Sequence, residues 1–277
     1  MASTSNPPKT SVDDELRDIY KTCIVGSHIL HFHGVLDAYG HLSARHPTDP
    51  TVFLMPCNLA PANVVSPKDI VQYRVEDASA VDPNAPRGYL ERFIHSEIYK
   101  RFPEVKAIIH SHASEVLPYA NTSVPLRPCK EVPTFDISKH YAPDEARDLL
   151  IRTTGRGRDL AEYFVSASSS SSSSSPTQHH HHPVVLMRGH GCTVVGSGVQ
   201  EAIYRAVYTK LNAAIQTASL HLARLGGGES GPASEVQYLR DDEVDDTSEM
   251  LRHAWGRAWG LWLREVEAAG LYRYSET

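Results

Sequence analysis

The sequence predicts a layered α/β or α+β architecture, with a central sheet flanked by helices. Three observations lead there. Short apolar runs of strand length, such as "VFLM", "KAIIHS" and "VVLM", recur along the chain. Longer segments repeat apolar residues at helical spacing. The helical segments lie between the strand clusters, and no internal repeat is apparent, which favours layers around one sheet.

The elements follow in order. Residues 1–12 are polar and are expected to be disordered; "MASTSNPPKTSVDDELRD" has no apolar core of the signal-peptide kind. From Asp13 to Tyr39 the pattern is helical, carried by Leu16, Ile19, Tyr20, Cys23, Ile24, Leu30 and Leu36. "HLSARHP" and the apolar "VFLM" follow, and "SPKDIVQYRV" reads as a turn and a strand. "ERFIHSEIYKRF" is an amphipathic helix stopped by Pro103. "VKAIIHSH" reads as a buried strand, and residues 142–164 hold one or two helices. "VVLMRGHGCTVVG" reads as two short strands about a Gly-rich turn, and a long helix runs from Val199 to Leu225. A C-terminal helix at about 243–268 carries Trp255, Trp259 and Trp262 as one stripe, expected in the core or at a subunit interface. The whole of residues 13–277 is expected to form a single domain, interrupted by a mobile Ser/His-rich loop at 166–182.

Composition excludes several function classes. The net charge of −6 and the absence of a basic cluster argue against nucleic acid. No apolar run approaches the ~20 residues that span a bilayer. Cys23, Cys57, Cys129 and Cys192 are scattered and form no CxxC, as in a reducing, cytoplasmic compartment.

Two histidines, His110 and His112, end the "KAIIHSH" strand one residue apart. On a strand they share a face, with Cα atoms roughly 6.5 Å apart. That arrangement suits two imidazoles on one metal ion, and equally two unrelated polar residues at a strand mouth. His190 sits between two glycines in "RGHG", where a close backbone approach or a simple turn would each explain it. Glu91 opens the helix that carries His95 one turn on. Three imidazoles and a carboxylate make a sound site for a divalent transition metal, provided they converge. The denser run His179–His182 lies in low-complexity sequence and is the poorer candidate.

In order along the chain, "GHLSAR", "ERFIHSEIYKRFPEVKAIIHSH" and "VVLMRGHGCTVVG" with its long helix resemble the class II aldolase/adducin family over roughly residues 15 to 225. The resemblance implies a three-layer αβα, class II aldolase-like fold around a mostly antiparallel central sheet, and a homotetramer. It implies His110, His112 and His190 as metal ligands, with Glu91 as the acid/base residue and an occasional fourth ligand. The sugar-phosphate branch has Asn at the position of His41 and a Ser-Ser pair at Tyr89 and Leu90; losing two hydroxyls removes phosphate donors. "GHLSARHP", "YLERFIHSEIYKRFPEV" and "RAWGLWLREV" are similar to the decarboxylase-like branch, which includes hydroxypyridine-dicarboxylate and dihydroxyphthalate decarboxylases. His41, Ser43 and Arg45 then become candidate substrate contacts, with Arg45 able to clamp a carboxylate. His95 either orients Glu91 or serves packing.

The expectation is therefore a metal-dependent carbon–carbon lyase, decarboxylating a hydroxylated aromatic or similar acid. Retro-aldol cleavage, a non-heme iron oxygenase and a non-catalytic adducin-like module are the alternatives. Zinc leads as cofactor, with Mn, Co and Fe also compatible. A small-molecule substrate and a homo-oligomer complete the reading, with no nucleic acid and no membrane as partners.

Overall fold

The structure, a computed structural model, describes residues 11–127, 131–165, 181–226 and 234–276. Seven strands form one sheet: β1 (His41–Arg45), β2 (Val52–Pro56), β3 (Ile70–Arg74), β4 (Ala107–Ser111), β5 (Thr134–Phe135), β6 (Val184–Met187) and β7 (Gly191–Gly196). Their order is β3-β2-β1-β4-β7-β6-β5, and every pairing except the parallel β5–β6 is antiparallel.

Helices cover both faces, which is why the strands read as near-continuous apolar runs. One face carries α1 (Val12–Phe32), α3 (Leu117–Ala120), α5 (Val199–Leu225) and α7 (Trp255–Ala268); its core gathers Ile24, Leu30, Ile203 and Trp262 with Leu42, Ile109 and Val194. The other carries α2 (Arg92–Arg101) and α4 (Thr154–Glu162); Ile94, Ile98 and Leu160 pack there on Phe53, Ile108 and Val195. Strand residues therefore alternate strictly between the two cores. In β4, Ala107 and Ile109 face α1 and α5, whereas Ile108 faces α2. Each fully buried Leu, Ile, Val or Phe contributes about 1.5–3 kcal/mol.

The expected three-layer fold is thus observed, with local differences. The segment 166–180 of the Ser/His run and residues 1–10 lie outside the described residues, as does Cys129. Ser11, expected to be disordered, caps α1: its hydroxyl accepts from the Asp14 N–H, while the Asp14 carboxylate accepts from the Ser11 N–H. His181 and His182, assigned to the loop, are held in place. His181 is buried, bridges Val165 and packs on Phe102, and the His182 N–H donates to the Phe164 carbonyl. α1 ends at Phe32, short of Tyr39, because Gly34 turns left-handed at φ 63° and Asp37 caps a turn by accepting from the N–H groups of Tyr39 and Gly40. Residues 142–150 are not helical: Leu149 has φ 67°, and the Ile151 N–H is given to Glu91 instead of a helix ladder. The C-terminal helix divides into α6 (Asp241–Met250) and α7 at a 3₁₀ turn, where the pattern changes from a polar run burying Val244 to an aromatic one burying Trp262 and Val266.

Candidate metal centre

β1 and β4 pair with His41 opposite His110, so both side chains leave the sheet on the α2 side. His112 follows β4 two residues on and leans the same way. The β6–β7 turn brings in His190: Gly189 supplies φ 71°, and a Cβ at Gly191 would lie 2.1 Å from the Ser111 carbonyl oxygen. Both glycines of "RGHG" are therefore required, one for the turn and one for close approach. Glu91 stands at the N-cap of α2 and points back at the same spot.

One donor atom each from Glu91, His110, His112 and His190 lies within 4.8 Å of the others. His110 Nε2 is 2.9 Å from His112 Nε2. Glu91 Oε2 is 3.6 Å from His110 Nε2 and 3.5 Å from His190 Nε2. Nitrogens bonded tetrahedrally to zinc at 2.0–2.1 Å stand about 3.3 Å apart, in the middle of these separations. Tautomer logic points the same way. His112 Nδ1 meets the Asp37 carboxylate at 3.2 Å, and His110 Nδ1 approaches Thr193 Oγ1 at 3.5 Å, whose own proton goes to Met187 Sδ. With both Nδ1 atoms protonated, the two Nε2 lone pairs face each other, an arrangement a cation between them relieves. The donor set fits a divalent metal ion.

The electrostatics agree with that fit. Burial, reinforced by the neighbouring imidazoles, holds His110 and His41 well below the usual histidine range. Partial burial works upward on Asp37, but the N–H groups of Tyr39 and Gly40 and the contact with His112 outweigh it and keep its carboxyl below the usual value. Glu91 Oε1 is pinned by the Ile151 N–H at 2.9 Å, which leaves Oε2 for the histidines.

The remaining site expectations divide. His41 lies beside the histidine cluster: it is buried, with its ring 5.2 Å from that of His110 and 4.7 Å from that of Tyr89. Ser43 lies on the same side of β1 but is fully buried, bonded to His95 Nδ1 at 2.6 Å and to Tyr99 Oη at 2.8 Å. His95 does not orient Glu91; its Nε2 meets His41 Nδ1 at 2.8 Å, and burial pulls its pKa down to about 3. Arg45 is a correction. It is buried at the far end of β1, where its guanidinium donates to the carbonyls of Val105, Pro50, Tyr99 and Phe102. Its hydrogen bonds serve the C-terminal end of α2, and no fork remains for a substrate carboxylate. Ser111 faces the opposite core and donates to the Val35 carbonyl.

Sequence reasoning missed Asp37, Tyr99, Thr193 and the Ile151 N–H. Tyr99 was within reach, since it lies one turn beyond His95 on the face that begins with Glu91. The Ile151 N–H carried no side-chain signal.

The sequence matches the Class II Aldolase and Adducin N-terminal domain family over residues 22–217, and the chain belongs to that family. It is 48% identical over 260 residues to decarboxylase tropJ of Talaromyces stipitatus, covering 91% of this chain and 95% of that one. It is 27% identical over 176 residues to the 3,4-dihydroxyphthalate decarboxylase of Rhodococcus jostii, covering 60% of this chain and 65% of that protein. The L-fuculose 1-phosphate aldolase of Glaciozyma antarctica PI12 shares the fold at TM-score 0.65 and 17% identity, covering 98% of this chain and 97% of that one. The chain is thus a decarboxylase-like enzyme of the class II aldolase family.

Proposed function

We propose that the protein is a metal-dependent lyase that removes a carboxyl group from a hydroxylated aromatic acid, with His110, His112 and His190 as metal ligands. The observation that carries this is the convergence of three imidazoles and Glu91 beside an apolar wall in a chain so similar to a decarboxylase. A bound divalent ion supplies Lewis-acid stabilisation of the electron pair left on carbon when the bond to CO2 breaks. Zinc suits the three imidazoles best.

The chain's own residues do the rest. Glu91 holds one oxygen on the Ile151 N–H and turns Oε2 toward the histidines, from where it carries a proton to the carbon that loses its carboxyl group. Asp37 fixes the ring of His112. His41 faces the substrate from β1. Tyr89 spends its hydroxyl on the Leu59 carbonyl and turns its ring to His41, so the position offers a flat apolar surface and no phosphate donor. That wall favours a planar aromatic acid over a sugar phosphate.

An exposed apolar stripe on α5, formed by Leu211, Ile215, Leu222 and Leu225, supports a homo-oligomer, with a tetramer as the family-based expectation. Buried free thiols at Cys23, Cys57 and Cys192 suit the cytoplasm, and among the described residues no helix is long and apolar enough to cross a membrane. The test is a panel of hydroxylated benzoic and phthalic acids run in D2O with the metal-loaded protein. CO2 release with deuterium at the vacated carbon supports the reading. Cleavage to an aldehyde without CO2 would assign it to aldol chemistry instead.

A further inference from the structure

Four buried groups form a single file leading away from the metal centre. Tyr99 Oη lies 2.8 Å from Ser43 Oγ, Ser43 Oγ lies 2.6 Å from His95 Nδ1, and His95 Nε2 lies 2.8 Å from His41 Nδ1. His95 and Ser43 are fully buried, and Tyr99 and His41 nearly so. The β1 alternation and the α2 face bring them together: Ser43 lies two residues from His41 on β1, and His95 and Tyr99 are one turn apart on α2.

The direction of the file follows from counting protons. A neutral imidazole carries one N–H, and each hydroxyl has one proton. Among the described residues, Ser43 Oγ is the acceptor within reach of the Tyr99 hydroxyl. Were the file to run outward from His41, Ser43 would donate to Tyr99, and the Tyr99 proton would be stranded in the core. Were Tyr99 and His95 both to donate to Ser43, the Ser43 proton would be stranded. Buried donors are rarely left unmade. Only one order satisfies every group: Tyr99 donates to Ser43, Ser43 to His95 Nδ1, and His95 Nε2–H to His41 Nδ1.

We propose that Ser43 and His95 are positioning residues that fix the tautomer of His41, so that His41 presents an Nε2–H donor beside the metal centre and binds an anionic oxygen of the substrate, its carboxylate. This rests on the site being the catalytic centre proposed above. His41 is then a donor that orients the acid. With its Nδ1 lone pair occupied, it is not a base.

Long-range 1H–15N NMR on protein labelled at histidine reads the tautomer directly, without turnover. It is recorded on the metal-free and the zinc-loaded protein, with His41 signals identified by their loss in His41→Asn. The expected result is a protonated Nε2 and an unprotonated Nδ1 on His41. Ser43→Ala, which cuts the file, should shift His41 toward a mixture of tautomers, whereas Tyr99→Phe, which leaves His95 Nδ1 as the acceptor for the Ser43 proton, should keep the wild-type tautomer. Ser43→Ala should weaken binding of 3,4-dihydroxybenzoate, measured by calorimetry, by roughly tenfold, and Tyr99→Phe should not. A protonated Nδ1 on His41 in the wild-type protein overturns the proposal, since that measurement needs no variant to fold. An unchanged tautomer in folded Ser43→Ala, or a shifted one in folded Tyr99→Phe, also overturns it. Because neither readout depends on CO2 release, failure here is separable from failure of the decarboxylase reading.

Discussion

His112 Nδ1 lies 3.2 Å from both oxygens of the Asp37 carboxylate, which in turn accepts from the backbone of Tyr39 and Gly40. The turn that ends the α1 region thereby holds one ring of the candidate metal centre. Carboxylates behind ligand histidines fix the ring and raise its basicity. Asp37→Asn should weaken zinc affinity about 10–100-fold in a chelator competition. Equal affinity would mean that the pair is a surface contact and no part of the centre.

Removal of a proposed ligand is a stronger perturbation. His110→Ala and His190→Ala should each reduce bound metal to background by elemental analysis while leaving the secondary structure intact. The competing histidine run must be disarmed first. His181 is buried against Phe102, so His179 and His180 are the ones to replace. Full metal content in His110→Ala would place the site elsewhere.

Arg45 should affect stability and leave substrate binding alone. Its buried guanidinium donates to four carbonyls, and hydrogen bonds to a charged group contribute about 1.5–3 kcal/mol each. Arg45→Ala should cost about 3 kcal/mol, lowering the melting temperature by roughly 6–12 °C, with KM unchanged in the folded protein at low temperature. A selective rise in KM with an unchanged melt would restore it as a carboxylate clamp.

Acid should destabilise the fold through its buried histidines. His95 is pulled from an ordinary value near 6.5 to about 3. Between those values the unfolded chain holds a proton that the folded chain refuses. Stability therefore rises with pH across this window and is lost as pH falls from about 6.5 toward 3, by up to about 1.4 kcal/mol per pH unit for one such group. Urea unfolding at several pH values should show His95→Gln with a shallower acid slope than wild type. Parallel slopes would contradict the assignment.

The chemistry-bearing side chains were legible because alternation and helical spacing are strong local rules. His110 and His112 share a face by strand pleat, and "RGHG" announced an unusual turn. What sequence could not show depends on long-range register. Arg45 looked like a free cation in "HLSAR", yet the β1–β4 pairing that seats His41 beside His110 carries Arg45 to the opposite end of the strand. His95 shares a helix with Glu91, but the nearer partner across the layer is His41. Residues 142–150 carry helix-compatible residues, yet Leu149 adopts φ 67° and the following Ile151 N–H goes to Glu91, contacts that no local pattern announces.

Metal-dependent decarboxylation is tested most directly by stripping the metal from protein carrying the His179 and His180 replacements, then restoring it while CO2 release from a hydroxylated aromatic acid is followed. The expected result is loss of CO2 release in the stripped protein and its return on adding one equivalent of zinc or another divalent ion. Undiminished release without metal, or no release from any acid of the panel by fully loaded protein, would contradict it.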